Sequence, residues 1–189
     1  IRLHAPLDPH WLFSLLIPVA KSLDTIHQRN IIHGNIKPSN LLIKANDQQE
    51  SFILCDYLEP SLSSTSATIT GAGPYCAPEF RNGNPVSNRS DIYSLAAVVY
   101  EALTGCLPNG PYQSEDGKFH VWRGDSAIRD PHSLNPNISQ ALSDLLMKAL
   151  STQSVNRPNS CLTFVEEALR ISDVPGLNVI APKEKYVES

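Results

Sequence analysis

The stretch Ser90 to Gly105, SDIYSLAAVVYEALTG, constrains the fold more than any other part of the chain. Leu95, Ala96, Ala97, Val98, Val99, Ala102 and Leu103 put apolar groups on nearly every side of a helix, so water can face very little of it. Thr104-Gly105 supplies a C-terminal stop, because glycine adopts the left-handed conformation that closes a helix. A helix of this kind needs other elements around it. The remaining chain, in a total of 189 residues, is long enough to provide them as one domain with a sizeable core.

Three flanking segments read as helices to pack around it, and two of them carry a one-sided apolar stripe. Asp8-Pro9 reads as a helix start, followed by Leu12, Leu15, Leu16, Val19, Leu23 and Ile26 at spacings of three to four, to about Gln28. Pro18 falls inside this pattern and is expected to kink the helix or to mark its true start. Ile138 to Leu150 is a second amphipathic helix and Ser160 to Ser172 a last helix, with Val174 to Ser189 as a tail. Leu41 to Ile43, a turn over Ala45 to Gln49 and Phe52 to Cys55 read as a small hairpin. Residues 106 to 137 are rich in Pro, Gly, Asn and Asp and hold no clear long helix.

Composition narrows the function classes. A net charge of -4 argues against nucleic acid as the main partner, since phosphate backbones call for basic patches. The runs Leu12 to Ala20 and Leu95 to Tyr100 are too short to span a membrane, and the first residues show no signal-peptide pattern. No internal repeat is visible. Cys55, Cys76, Cys106 and Cys161 form no C-x-x-C and read as separate buried thiols in a reducing compartment, which gives a cytoplasmic expectation.

The stretch that looks like chemistry is Ile31 to Ile43, IIHGNIKPSNLLI. Polar groups sit between two apolar anchors, Gly34 and Pro38 fix the backbone, and Lys37 and Asn40 suit an anion and a cation. Asp56 follows the hairpin, 16 residues beyond Asn40, where on the residues alone it caps a strand end. Next come a Ser/Thr-rich run without periodicity (59 to 73), Cys76-Ala77-Pro78-Glu79, the central helix, and SVNRP at 154 to 158.

This order of motifs resembles the protein kinase superfamily, the bacterial serine/threonine branch in particular, over roughly Asp8 to Ser172. His33, Ile36 and Asn40 match the catalytic loop H-R-D-L-x-x-x-N, Asp56-Tyr57-Leu58 stands at D-F-G, and Ala77-Pro78-Glu79 is A-P-E. The resemblance implies an α+β kinase-like fold, of which this chain is the mainly α-helical C-terminal lobe (1 to 173) with its small hairpin. The chain shows no Gly-rich loop and no V-A-I-K lysine; it reads as a fragment of a longer protein, or as a lobe whose N-lobe is absent or supplied elsewhere.

The resemblance also implies roles. Asn40 and Asp56 fall where the family holds magnesium on ATP, and Lys37 falls on the catalytic-loop lysine. Asp91 would brace the loop backbone, beside its plainer reading as a first-turn acid favoured by the helix dipole. Glu79 and Arg157 would form the buried ion pair of A-P-E with the R-P motif, and His33 is structural. Phe119, Trp122 and Arg123 form an aromatic and basic cluster in a region the family uses for docking partners; local packing on the lobe is the alternative. The segment 59 to 73 resembles an activation segment, with phosphorylatable hydroxyls at 61 to 70, and equally reads as a solvated loop.

The departures are as informative as the matches. Asn35 stands at the catalytic aspartate, Gly34 at the phosphate-sensing arginine, Leu58 at the switch glycine and Ala72 at the threonine that partners the aspartate. An asparagine hydrogen-bonds a hydroxyl but takes no proton from it at neutral pH. Fold-holding residues kept and chemistry-bearing residues lost is the pattern of a pseudokinase: a regulatory or protein-docking module, with no cofactor for this chain alone. The alternative is a weak or atypical serine/threonine kinase whose N-lobe lies outside this chain and which uses ATP and magnesium.

Overall fold

The computed structural model describes residues 6–46, 49–57, 73–108, 112–113, 119–120 and 128–173. The expected tail from Val174, the segment 58–72 with Leu58 and Ala72, and the docking candidates Trp122 and Arg123 lie outside the described residues.

The first helix, α1, runs Pro9–His27. Asp8 caps it through its side chain, which accepts from the Trp11 amide at 2.7 Å, and Pro9 presets the first turn. Pro18 is not the start of this helix. Its ring sits on the exposed face, where water can satisfy the carbonyl left without its usual donor, so the helix continues unbroken to His27. The opposite face buries Leu12, Phe13, Leu15, Leu16, Val19, Ala20 and Leu23.

A 3-10 turn at Pro38–Asn40 leads into β1, Leu41–Asn46, which pairs antiparallel with β2, Gln49–Leu54. Leu41 lies opposite Leu54 and Ile43 opposite Phe52. Leu41 and Phe52 are buried against the lobe while Leu42 and Ile53 face out, the period-2 alternation of a sheet with one covered face. The ladder is longer than the sequence suggests: polar Lys44, Asn46, Glu50 and Ser51 pair as well, because the backbone of a tight hairpin extends whatever its side chains.

After a short helix α2 (Pro78–Arg81) comes the central helix α3, Asn88–Thr104. It begins two residues ahead of the expected Ser90 because Ser87 is the cap. The Ser87 hydroxyl accepts from the Arg89 amide and the Ser87 amide donates to the Ser90 hydroxyl. Gly105 ends it at φ 73°, with its amide donating to the Glu101 carbonyl at 2.8 Å. Ser90 to Tyr100, Ala102 and Leu103 are all buried.

Two-residue strands β3 (Tyr112–Gln113) and β4 (Phe119–His120) pair antiparallel, which places Phe119 opposite Gln113. Helix α4 is a single turn, Pro131–Leu134; α5 spans Gln140–Ala149 and α6 Cys161–Ser172, each of the last two capped by the serine before it. Helices α1 and α6 lie against one another, with Phe13 and Phe164 edge to face at 6.4 Å, and α3 touches α1, α4, α5 and α6. One continuous core joins them. Truncating either of those phenylalanines to alanine removes about 3–5 kcal/mol from such a core. Among the described residues no helix is long and apolar enough to cross a membrane.

Candidate active site

The loop between α1 and β1 is pinned from behind by Asp91, in the first turn of α3. Its two carboxylate oxygens accept from the His33 amide (2.8 Å) and the Gly34 amide (2.8 Å), and Oδ2 also meets His27 Nε2 at 2.7 Å. Asp91 is 1% exposed, and three donors compensate its burial. Gly34 takes φ 69°, a conformation free of strain only for glycine. Ile36 is fully buried and fastens the middle of the loop to the core. Burial pushes the His33 imidazole below its ordinary value, with Asp91 pulling partly the other way.

The front of the loop is held by amides. Asn40 is buried; its Nδ2 donates to the Asn35 carbonyl at 2.8 Å, and its Oδ1 accepts from the Ser39 hydroxyl at 3.3 Å. Asn35 Nδ2 in turn donates to the Asp56 carbonyl at 2.9 Å. The Cys55 amide closes the arrangement on the Asn40 carbonyl at 3.0 Å. Asn40, Asn35 and Asp56 therefore form one connected chain, and Asp56 has φ 59°, a left-handed conformation that aspartate tolerates better than most residues. Lys37 sits half-buried in extended backbone just before the 3-10 turn. Beside Gly34 opens a cleft of about 230 Å³ lined by Ile31, Ile32, Phe80, Val86 and Asp91 among others.

The Asn35 amide orientation follows from its acceptor: a carbonyl oxygen needs a donor, so the nitrogen faces Asp56. Asn35 Oδ1 is then a buried atom without a hydrogen-bond partner. As a hard-cation site, Asn40 Oδ1 and the Asp56 carboxylate are the right donor types for magnesium, and Asn40 Nδ2 is committed elsewhere, which leaves the oxygen as the ligating atom.

A second polar centre lies under α2. Arg157, with a fully buried side chain, grips Glu79 with two parallel bonds, Nη1 to Oε1 at 2.6 Å and Nη2 to Oε2 at 2.8 Å. Arg157 also donates to the carbonyls of Ser151 (2.9 Å) and Arg89 (2.8 Å) and stands 5.0 Å from the Tyr93 ring centroid. Burial alone would raise the Glu79 carboxyl, but the Arg157 and Ser90 hydrogen bonds outweigh it and hold the group below its ordinary 4.5.

These contacts belong to a recognisable family. The profile of the protein kinase domain matches residues 4–170, nearly the whole chain. The chain belongs to the protein kinase family. A protein of Clostridium perfringens described as a probable serine/threonine-protein kinase is 31% identical over 169 residues, covering 88% of this chain and 24% of that one. Serine/threonine-protein kinase PknB of Mycobacterium leprae is 28% identical over 174 residues, covering 90% and 28%. This kinase-family chain thus spans about a quarter of the length of those relatives. The solved PknI kinase domain of Mycobacterium tuberculosis shares its fold, with a TM-score of 0.67 at 23% identity over 92% of this chain and 59% of that one.

Several functional contacts of this kinase lobe escape a reading of the sequence. The α1 helix reads as core packing alone, yet its Asp24 caps α6 through the amides of Cys161 (2.9 Å) and Leu162 (3.2 Å), and its His27 joins Asp91. Arg89 crosses to the Asn159 side chain (2.7 Å) and the Arg157 carbonyl. The available signal was a pair of polar residues three apart on the buried flank of an apolar stripe. The expectation of four buried thiols holds for Cys76 and Cys161, whereas Cys55 and Cys106 are half-buried, the first just past the end of β2 and the second just past the Gly105 cap; all four are free.

Proposed function

We propose that this lobe is a catalytically impaired kinase module, a pseudokinase that acts by regulation or protein docking. The observation that carries the reading is the Asn35 side chain. It stands where the family has its proton acceptor, it has no basic atom, and its amide is spent on the Asp56 carbonyl. Losing a general base lowers a rate by about 10²–10⁴, or roughly 3–5 kcal/mol of barrier. Gly34, Leu58 and Ala72, each at a position where the family has a working residue, compound that loss. The partner is a protein, and Phe119, Trp122 and Arg123 are the surface the sequence offers for it.

A second reading, a weak serine/threonine kinase completed by an N-lobe outside this chain, is favoured by Asn40 and Asp56. With ATP bound, these two would hold magnesium, which neutralises charge developing on the transferred phosphoryl group. Thermal melting with and without Mg-ATP, on this chain and on a version extended at its N-terminus, separates the readings. A ligand that binds only the native state raises the midpoint. The pseudokinase reading expects no transfer of labelled phosphate to the protein itself or to a generic substrate. Transfer by the extended version would overturn it, and a gain in transfer on Asn35→Asp would show that the base alone was missing.

A further inference from the structure

Helix α1 ends, and helix α6 begins, at a side-chain cluster to which no ligand has been assigned above. Asp24 and His27 lie three residues apart in the last turns of α1, and Cys161 is the first residue of α6. One ligand atom from each (a carboxylate oxygen, a ring nitrogen and Sγ) falls within 4.8 Å of the others. We propose that Asp24, His27 and Cys161 form a site for a borderline divalent cation, zinc above all, that fastens α1 to α6. This proposal does not rest on the pseudokinase reading.

The decisive observation is His27. Its side chain is 7% exposed, and Nδ1 is buried with no hydrogen-bond partner while it points into the cluster. A buried imidazole nitrogen left unpaired is costly, and a cation is a partner that removes the cost. The other ring nitrogen explains why Nδ1 is the ligating one. Nε2 lies 2.7 Å from the buried Asp91 carboxylate, which can only accept a hydrogen bond from Nε2–H, so in the neutral ring the lone pair falls on Nδ1. A carboxylate behind a histidine is the arrangement that orients metal-bound imidazoles and raises their basicity.

The remaining donors fit. Asp24 Oδ1 stands 3.8 Å from His27 Nδ1, a few tenths of an ångström beyond the roughly 3.3–3.5 Å between a nitrogen and an oxygen donor on tetrahedral zinc. Each Asp24 oxygen already accepts one backbone amide, which leaves it a lone pair for a metal. Cys161 Sγ lies within 4.8 Å of the other two donor atoms, within reach of a zinc–sulfur contact after side-chain adjustment. Without a cation, burial and then the Asp91 and Asp24 charges hold the Cys161 thiol protonated. Binding therefore forms the metal–sulfur bond as the S–H bond breaks, with the proton released to solvent. Sulfur, nitrogen and oxygen in one set select zinc over magnesium or calcium, and water takes the fourth position. Through His27 and Asp91 the same ion would stiffen the backbone of His33 and Gly34.

Cobalt(II) added to the chelator-treated full chain, in a non-thiol reductant, reads the site directly. The expected result is a thiolate-to-cobalt charge-transfer band that saturates at one equivalent and is displaced by zinc. Cys161→Ala abolishes the band, and the double variant Cys55→Ser, Cys106→Ser keeps it. Should Cys161→Ala fail to fold by circular dichroism, His27→Gln keeps an amide donor for Asp91, removes the imidazole, and is expected to weaken cobalt binding at least tenfold. No band, a band that survives Cys161→Ala, a band lost with the two half-buried thiols, or unchanged affinity in His27→Gln overturns the proposal.

Discussion

The two polar centres of this lobe are built from opposite materials. At the rear, Asp91 and the Glu79–Arg157 clasp use full charges and short bonds, and every carboxylate oxygen of Asp91 and Glu79 has a donor. At the front, Asn40, Asn35 and Asp56 are joined by neutral side-chain amides to backbone carbonyls, and Asn35 Oδ1 is left unpartnered. Charged hydrogen bonds are roughly twice as strong as neutral ones, so the rear fixes the loop's position and the front only its local shape. A kinase-family lobe with its strength at the rear keeps its frame whatever residues stand at the front.

The sharpest way to break that contrast is to remove a rear partner. Arg157→Ala leaves Glu79 largely buried and uncompensated and strips donors from the Ser151 and Arg89 carbonyls. The expected loss is about 3–5 kcal/mol in urea denaturation. Pairing it with Glu79→Gln should recover part of this, because the stranded charge is then gone. A loss under 1 kcal/mol would mean that the clasp is solvated and that the rear holds no special strength.

The rear centre was also the more legible one. Glu79 and Arg157 lie 78 positions apart, yet each sits in a motif, and the helix Ser90 to Leu103 declared its burial through apolar groups on every side. The hairpin and two of the flanking helices followed from periodicity for the same reason. What stayed hidden is contact between polar residues that no period predicts. Asp24 reaching the start of α6 and Asn35 reaching the Asp56 carbonyl depend on where two distant backbones come to rest. Pro18 as a helix start misled, because whether a proline interrupts a helix turns on which face meets water, and that is decided by the packing of α1 as a whole.

The front centre can be tested by restoring what the family carries. Asn35→Asp places a carboxylate oxygen against the Asp56 carbonyl, where an N–H now donates at 2.9 Å. A lost hydrogen bond plus repulsion between two acceptors is expected to lower stability by about 1–3 kcal/mol at neutral pH. The loss should shrink on acidification, since a protonated carboxyl can donate to the same carbonyl. Equal stability of the two proteins at neutral pH would show that the amide contact contributes nothing, and would leave the loop's front indifferent to its residue.

The mildest probe lies between the centres, at His33, whose backbone belongs to the rear and whose Nδ1 receives the Asn35 amide at a long 3.4 Å. Its folded value lies below the ordinary 6.5, so the unfolded chain binds its proton first as pH falls. The stability it contributes is complete above about pH 6.5 and is lost as pH drops from there toward the folded value. Glu79 acts in a separate, more acidic window, with stability present above its ordinary 4.5 and lost as pH falls below it. In His33→Gln the loss just below pH 6.5 should flatten while the acid-side loss remains. If the upper window is unchanged, the imidazole is exposed to protonation in the native state, and burial from the rear does not extend as far forward as His33.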